Sequence, residues 1–500
     1  MQKWNAEKLS RMFAWLCLAV LVVTTLPLYG ISLYNHPYYD DYNFSLNVRR
    51  VWKETGNLGD TLAAALDSAR NTRQTWQGTY TGTLFSNLQP GLFSEDLYWI
   101  ANFFLITAMV LGFGFFFCTV FAKLGLGKYD RTSLSCLALT VMIQFMPDVG
   151  EAFYWFNGGV GNVFIYSLLA VAIALSVRLI CTNGAGVGLT AALAVLAVLL
   201  GGGSYGGGLF GLCLTALLVL WLFVKKHRKR WHFAALFALF AGCFLYSMAA
   251  PGNTVRAGAI NYNSSAVKAV IQSLYYGVAQ IGLYIRLPII AVTLILLPAL
   301  YQAAKRSPFT FRHPWLVLAV GVCVFCTQLT PPLYSGVFIG GGRIVNTYFL
   351  SFVVMWFLYA YYLAGFAARR LEKTEHELPQ MTAKQWMTLF MTSLCLLGIG
   401  CLGFKRSGDV LYGVQNLSGP SAALSIVTGE AAQYDREMDE RERLLNDESQ
   451  PVVTLRPLSA VPAVLMDDLL REGAEYDVRP VLHRYYGKEA ILLEGEAKAQ

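Results

Sequence analysis

Charged side chains are scarce in this sequence: 14% of its 500 residues are Asp, Glu, Lys or Arg, and 55% are apolar. In a typical soluble domain about a quarter of the residues are charged, so this composition excludes a soluble enzyme. Apolar runs of about 20 residues, enough to cross roughly 30 Å of hydrocarbon, recur along the chain. Open sheets cannot span lipid and the runs are too long for barrel strands, so we predict an all-α, polytopic membrane protein.

Positively charged side chains are confined to a few short segments of the chain. The formal net charge is +8, yet the Lys and Arg residues lie in short clusters between apolar runs. That distribution is what membrane topology demands, and it is not the continuous basic surface of a nucleic-acid-binding protein. We therefore expect a lipid bilayer as a partner and no nucleic acid.

Metal-ligand clusters and a disulfide framework are also missing. Nearly all of the ten cysteines fall inside apolar runs, and none follows Cys401. Cys323 and Cys326 have the spacing of a redox or zinc pair, but they lie mid-membrane without partners, which favours ordinary packing. The six histidines are scattered. We expect no cofactor and no metal site; a divalent ion at an acidic pair stays open, although no third ligand lies near that pair.

Eleven apolar runs predict about eleven transmembrane helices. The amino terminus carries Lys3, Lys8 and Arg11, which argues for a cytoplasmic start. Counted from there, every basic cluster between the runs falls on the cytoplasmic side, as the positive-inside rule requires. These clusters lie at 123–131, 225–230, 305–312 and 369–373. The carboxyl-terminal tail and five loops are then placed on the opposite face: those that carry Asp40 and Asp41, Glu151, the glycine-rich stretch at 201–208, Arg256 and Arg343.

The composition changes near residue 404, which divides the chain into two predicted domains. Residues 1–404 hold the spans, and residues 34–96 form a long first outer loop with amphipathic stretches typical of surface helices. Residues 405–500 are richer in charge. A helix over Ser421–Leu445 and short apolar pieces at 452–455 and 490–493 predict a small extracytoplasmic α/β appendage that docks on the helices.

Two adjacent carboxylates, Asp40 and Asp41, follow the first predicted span among three tyrosines. Their mutual repulsion raises one pKa, and such a pair titrates jointly. One carboxylate can take a proton from an incoming hydroxyl while the other holds the acceptor or a cation. The alternative is a capping role at the start of the amphipathic helix that begins near Tyr42.

A second outer loop, Glu151 to Gly159, combines an acid, four aromatic residues, an amide and a glycine turn. Aromatic faces stack on sugars, and acids or amides bind sugar hydroxyls. The candidate sugar-binding residues in this loop are Glu151, Tyr154, Trp155 and Asn157. An interfacial aromatic belt is the alternative; it explains Tyr154 well but not Glu151.

Two isolated arginines, Arg256 and Arg343, fall in outer loops, where positive charge is disfavoured. A guanidinium fork suits phosphate oxygens, so both are candidates for binding phosphate. Snorkelling to lipid headgroups is the alternative for each. The predicted spans themselves are nearly free of Asp and Glu, whereas carriers keep ionisable residues deep in their spans. The pattern favours an enzyme that works at the outer membrane surface.

Four motifs in this order resemble those of a known family. They are Tyr39-Asp40-Asp41-Tyr42, the run from Glu151 to Gly158, Ala250-Pro251-Gly252-Asn253 with Arg256, and Arg343-x-x-Asn346. The chain resembles GT-C-type membrane glycosyltransferases, and more narrowly the bacterial family related to serotype-converting O-antigen glucosyltransferases. The resemblance covers most of the chain, although the glycine-rich stretch at 201–208 lacks the acidic residue expected there in relatives.

The resemblance implies transfer of a sugar from a polyprenyl-phosphate-linked donor to a cell-envelope glycan or lipid-linked acceptor, at the outer face of a bacterial plasma membrane. It implies that one of the acidic pair, by analogy Asp40, deprotonates the acceptor hydroxyl and that the anomeric centre inverts. Arg256 and Arg343 would hold the phosphate. The remaining substrate-binding residues it suggests are Glu151, Tyr154, Trp155, Asn157 and Asn253.

Two other functions stay open at this point. A glycan polymerase or ligase would share the outer arginines but would not need the acidic pair. A flippase or transporter of lipid-linked sugars would tolerate substitution of Asp40 and Asp41 and would leave the donor lipid intact.

Overall fold

The protein is mostly helical. The computed structural model describes residues 2–260, 264–373, 383–406, 412–470 and 477–494. Within these ranges the helices are α1 (Gln2–Ile31), α2 (Asp40–Thr55), α3 (Leu58–Thr75), α4 (Tyr80–Ser86), α5 (Trp99–Lys123), α6 (Lys128–Gln144), α7 (Phe156–Gly161), α8 (Val163–Cys181), α9 (Val187–Gly201), α10 (Tyr205–Val224), α11 (Arg230–Met248), α12 (Pro251–Ile260), α13 (Ala266–Tyr284), α14 (Leu287–Arg306), α15 (Pro314–Thr327), α16 (Thr330–Ser335), α17 (Gly342–Lys373), α18 (Ala383–Leu402), α19 (Ser418–Val427), α20 (Glu430–Asn446) and α21 (Arg479–Tyr486). The described ranges also contain short 3-10 and π-helical turns and two strands, β1 (Val452–Leu455) and β2 (Ala490–Leu493).

Eight helical segments in the described ranges are long and apolar enough to cross a bilayer, which confirms a multi-pass membrane protein. They are Glu7–Tyr34, Glu95–Lys123, Phe156–Cys181, Tyr205–Val224, Arg230–Met248, Leu287–Arg306, Pro314–Ser335 and Gly342–Glu372. The other three predicted spans form α6, α9 and α18, which are shorter or less apolar. The total of eleven spans therefore stays a prediction.

The spans pack around an aromatic interior. The main core contains Phe116, Phe117, Phe352 and Phe357, all with no more than 2% of their surface exposed. α1 lies against α6, α5 against α8, and α14 against α17 and α18. Gly112 lets α5 approach α8 closely, because a Cβ there would meet the Ser167 carbonyl oxygen at 2.9 Å. Small residues at such crossings are typical of helix packing in membranes.

Three of the basic clusters meet at one end of the bundle. The Tyr361 hydroxyl donates to the Leu124 carbonyl at 2.9 Å, and Arg369 Nε donates to the Phe309 carbonyl at 3.3 Å. The loops that carry the acidic pair, Arg256 and Arg343 meet at the opposite end, as described below. The two-ended arrangement is the one the predicted topology requires; the side of the membrane that each end faces stays a prediction.

Two amphipathic helices, α2 and α3, form most of the first loop. Gly56 ends α2 in the left-handed region, with φ 60°. Asn57 then caps α3, since its side-chain oxygen accepts from the amides of Gly59 at 2.7 Å and Asp60 at 3.3 Å. The glycine stop and the asparagine cap fix a tight helical hairpin that sets the direction of α2.

The tail is not one helix followed by strands. The predicted helix over Ser421–Leu445 is broken at Gly429, whose φ of 80° ends α19 before α20 begins. α19 packs on α1 and α6, and Ser418 Oγ donates to the Ile143 carbonyl at 2.7 Å. The predicted division at 404/405 assigns α19 to the appendage, whereas its contacts join it to the membrane helices.

The remaining part of the tail has a small core that it shares with the first loop. β1 and β2 pair in parallel, with Val453 opposite Ile491. Their buried side chains form one cluster with Leu482 of α21 and with Tyr42 of α2. A two-stranded sheet is marginal alone, so the cluster depends on α2 for its burial. The tail thus holds the helix that carries the acidic pair.

Candidate active site

The acidic pair occupies the first turn of α2, at the end of the bundle away from the basic clusters. Tyr39 precedes it with φ 32° and ψ −93°, a backbone conformation that is strained for a residue with a Cβ. Carboxylates at a helix amino terminus are favoured by the helix dipole. The sharp turn at Tyr39 brings Asp40 and Asp41 onto different neighbours, so the two side chains have different environments.

Asp41 is fully buried and its carboxylate is held by three donors. Oδ2 accepts from the Tyr38 amide at 3.1 Å and from the Tyr98 hydroxyl at 2.5 Å, and Oδ1 accepts from the Asn157 amide at 2.9 Å. Burial raises the pKa of Asp41 to about 7, against the lowering effect of these donors. Because both carboxylate oxygens already accept hydrogen bonds within the protein, Asp41 is suited to holding the surrounding loops in place rather than to binding a substrate.

Asp40 is partly exposed and has fewer protein partners. Its Oδ2 accepts from Asn157 Nδ2 at 3.1 Å. Burial raises the pKa of Asp40, while the guanidinium groups of Arg343 and Arg256 and the Asn157 hydrogen bond oppose that rise. Asp40 is therefore the member of the pair that is open to a ligand, and it lies in the electrostatic field of both Arg343 and Arg256.

Asn157, at the start of α7, links the two acids. Its backbone amide donates to Asp41 and its side-chain amide to Asp40, while its Oδ1 accepts from Ser86 Oγ at 2.5 Å. The amide thus ties α2, α4 and α7 together at one point. Asn157 is expected from the sequence to touch sugar, but in the structure its polar atoms hold the acidic pair.

Glu151 positions the start of α17. Its Oε2 accepts from the Arg343 backbone amide at 2.8 Å, one of the amides that a helix amino terminus leaves unpaired. Burial raises the pKa of Glu151, and the charge of Asp148 adds to that rise. The sequence places Glu151 and Arg343 in separate loops as candidate substrate-binding residues, and the structure brings them into contact.

The Arg343 side chain lies over Trp155, with the guanidinium carbon 4.8 Å from the ring centroid. Trp155 is 6% exposed, and its indole Nε1 has no hydrogen-bond partner among the described residues. Tyr38 packs edge-on against the same indole, with the ring centroids 5.8 Å apart. An unpaired buried donor beside a cation is a natural place for an oxygen-rich ligand.

Arg256 approaches the site from α12. Its Nη1 donates to Gln77 Oε1 at 2.7 Å, and its guanidinium lies 5.4 Å from the Trp76 ring centroid. Its buried Nε has no partner among the described residues. Burial and the positive charge of Arg343 lower the pKa of Arg256. The two arginines repel each other, and an anion bound near both would relieve that repulsion.

Two predicted substrate-binding residues have their polar atoms hydrogen-bonded within the protein. Tyr154 is fully buried and its hydroxyl donates to the Leu28 carbonyl at 2.8 Å, which anchors the loop on α1. Asn253 Oδ1 accepts from the Tyr205 hydroxyl at 2.5 Å, and its Nδ2 donates to the Met248 carbonyl at 2.8 Å. These hydrogen bonds give Tyr154 and Asn253 structural roles, and their contact with substrate stays a prediction.

Sequence reasoning missed several residues that build the site. Tyr98, Ser86 and Gln77 each donate to or accept from a nominated residue. Each has an ordinary polar side chain in a loop or at a helix end, and no local pattern distinguishes it. Only the tertiary fold reveals their partners.

Comparisons with protein-family models, with curated proteins and with solved structures find no match.

Proposed function

We propose that the protein is a membrane glycosyltransferase. It moves a sugar from a polyprenyl-phosphate-linked donor to a cell-envelope glycan or lipid-linked acceptor at the outer face of the membrane. The observation that carries this proposal is the environment of Asp40: a partly exposed carboxylate, held by Asn157 and lying in the field of Arg343 and Arg256. A base beside two cations is what transfer from a phosphate leaving group requires.

The proposed step is a single displacement. The acceptor hydroxyl oxygen forms a bond to the anomeric carbon while the bond from that carbon to the phosphate oxygen breaks. The hydroxyl proton passes to Asp40, and the electron pair leaves with the polyprenyl phosphate. A lipid phosphate is a good leaving group that needs little general acid, so one carboxylate base suffices.

The arginines supply the charge stabilisation in this proposal. Negative charge grows on the departing phosphate, and the guanidinium groups of Arg256 and Arg343 stabilise it. The unpaired Nε of Arg256 and the unpaired indole Nε1 of Trp155 are available as further donors. Asp41 acts through position: its contacts with Tyr38 and Asn157 hold the turn that presents Asp40.

The enzyme class is tested with purified protein in lipid nanodiscs and a panel of radiolabelled polyprenyl-phosphate sugars. Release of free polyprenyl phosphate by the wild type, and none by the Asp40→Asn, Asp41→Asn double variant, is the expected result. Donor binding without release under any acceptor condition would contradict the proposal. A vesicle assay of donor movement across the bilayer would then identify a transporter.

A further inference from the structure

A buried histidine meets an acidic helix face on the side of α2 that carries the tail. His36 precedes the acidic pair by four residues and is 7% exposed. Its Nε2 lies 3.1 Å from Asp435 Oδ1 and 3.9 Å from Asp439 Oδ1 on α20. Its Nδ1 is buried and has no partner among the described residues. The imidazole edge is thus aimed at carboxylates that come from the opposite end of the sequence.

The ligand atoms converge closely enough to hold an ion. One atom each from His36, Asp439 and Glu442 lies within 4.8 Å of the others. A tetrahedral ion about 2.1 Å from each ligand would bring these atoms to roughly 3.4 Å from one another. Asp439 is exposed and Glu442 is half-buried, so side-chain rotation can close that gap. The exposed side of Asp439 also gives an ion a path from solvent.

Negative charge exceeds positive charge around this point. Burial raises the pKa of Glu442, and the charges of Asp96 and Asp439 add to that rise against His36 and Arg49. Burial likewise raises the pKa of Asp439, and its neighbour Asp435 adds to it. Crowded carboxylates with one buried imidazole are a donor set that a divalent cation would stabilise.

We propose that His36, Asp439 and Glu442 bind one divalent transition-metal ion, Zn²⁺ in the first instance, that joins the tail to the loop of the acidic pair. An imidazole ligand favours zinc and its neighbours over calcium or magnesium, which prefer oxygen ligands throughout. Asp435, which contacts His36 Nε2 in the metal-free protein, would instead accept a hydrogen bond from a metal-bound water. Three protein ligands leave a coordination position for that water.

The ion would have a positioning role. His36 shares its loop with Asn35, whose side chain donates to the Tyr154 carbonyl at 2.8 Å, and with Tyr38, whose amide donates to Asp41. Fixing His36 to α20 therefore fixes the segment that leads into the acidic pair. The inference does not depend on the sugar-transfer proposal, because its readout is metal binding by the full chain.

The test uses full-length protein in detergent, stripped with a chelator and titrated with ZnCl₂ while bound metal and Tm are measured. We expect one Zn²⁺ per chain, a higher Tm on binding, and at least tenfold weaker binding in Asp439→Asn and in Glu442→Gln. Glu440→Gln is the matched control, since Glu440 is exposed on the same helix and lies outside the cluster. It should bind Zn²⁺ like the wild type.

Two results would overturn the metal site. One is substoichiometric binding by the wild type, or equal binding by all four proteins. The other is a Tm that ignores Zn²⁺ but is higher at low pH in the wild type and not in His36→Gln, which would identify an ion pair of His36 with Asp435 and Asp439. A visible Co²⁺ spectrum of the wild type that His36→Gln alters gives a second readout if a carboxylate variant folds poorly.

Discussion

Two neighbouring carboxylates in one helical turn differ in accessibility, and that difference assigns their roles. Asp41 is buried and accepts hydrogen bonds from three donors. Asp40 is partly exposed and accepts one hydrogen bond, from the side-chain amide of Asn157. The sequence nominates the pair but does not separate its members, because both lie in the same turn of the same loop. The contacts of Tyr98 and Asn157, which come from distant segments, make the distinction.

Titration of Asp41 should be visible in stability. Its pKa is raised from 3.8 in a free chain to about 7 by burial, so the native state binds more protons than the unfolded state between these values. Stability contributed by this group is complete below pH 3.8 and is lost as the pH rises to about 7. The wild-type Tm should therefore fall over that window relative to Asp41→Asn, which has no carboxyl to titrate.

Differential scanning fluorimetry of both proteins from pH 4 to pH 8 measures this difference. The exposed substitution Asp60→Asn on α3 is the control and should follow the wild type. Parallel Tm profiles for the wild type and Asp41→Asn would contradict a raised pKa at Asp41.

Arg343 should matter through its shape as well as its charge. Arg343→Lys keeps the cation but loses the planar fork and its stacking on Trp155. We expect donor binding to weaken by about tenfold, the effect of losing one charge-assisted contact. Arg312→Lys, exposed at the other end of the bundle, should leave donor affinity unchanged. If Arg343→Lys and Arg312→Lys bound the donor with equal affinity, Arg343 would not contact the donor phosphate.

At the scale of elements, α21 clamps α2 through one buried arginine. Arg49 Nη1 donates to the Tyr485 carbonyl at 2.8 Å, and its guanidinium carbon lies 4.1 Å from the Tyr485 ring centroid. The neighbouring residue Arg50 is exposed. Substituting Arg49 and Arg50 in turn therefore distinguishes the loss of a specific contact from the loss of one positive charge.

Arg49→Met should destabilise the docked tail by about 2 kcal/mol, the loss of a buried charge-assisted hydrogen bond and a cation–π contact. Limited proteolysis should then cut the tail faster, and transfer activity should fall because α2 carries the acidic pair. Arg50→Met should behave as the wild type. A proteolysis rate that is the same in both variants would show that the clamp is not formed.

The elements themselves were largely predictable. Long apolar runs and basic clusters specify membrane helices, because the bilayer leaves few alternatives for a backbone in lipid. The break at Gly429 and the packing of α19 on α1 were not predictable, since helical periodicity continues across that glycine. The hydrogen-bond partners of Tyr154 and Asn253 were also not predictable, because they lie in other helices.

For the whole molecule, the two ends of the bundle have opposite chemistry. Three of the four basic clusters meet at one end and the candidate site lies at the other, which predicts that the site and the tail face outward. In a background without native cysteines, Glu448→Cys in the tail should react with a membrane-impermeant thiol reagent in intact cells. Lys226→Cys in a basic cluster should react only after lysis.

Both positions are exposed in the structure, so protection reports the membrane side rather than burial. The opposite labelling pattern would invert the topology and place the site in the cytoplasm.

The candidate metal site could not be predicted from the sequence. His36 and its neighbour Asp435 are 399 residues apart, and only the docked tail brings them together.

The proposed sugar transfer requires Asp40 to act as a base, and single-turnover release of polyprenyl phosphate tests that role directly. Asp40→Asn keeps the size of the side chain and removes its proton affinity, so the rate should fall by about 10²- to 10⁴-fold while Tm and donor affinity stay close to those of the wild type. Asp60→Asn should keep the full rate. Full single-turnover transfer by a correctly folded Asp40→Asn protein would contradict the central claim.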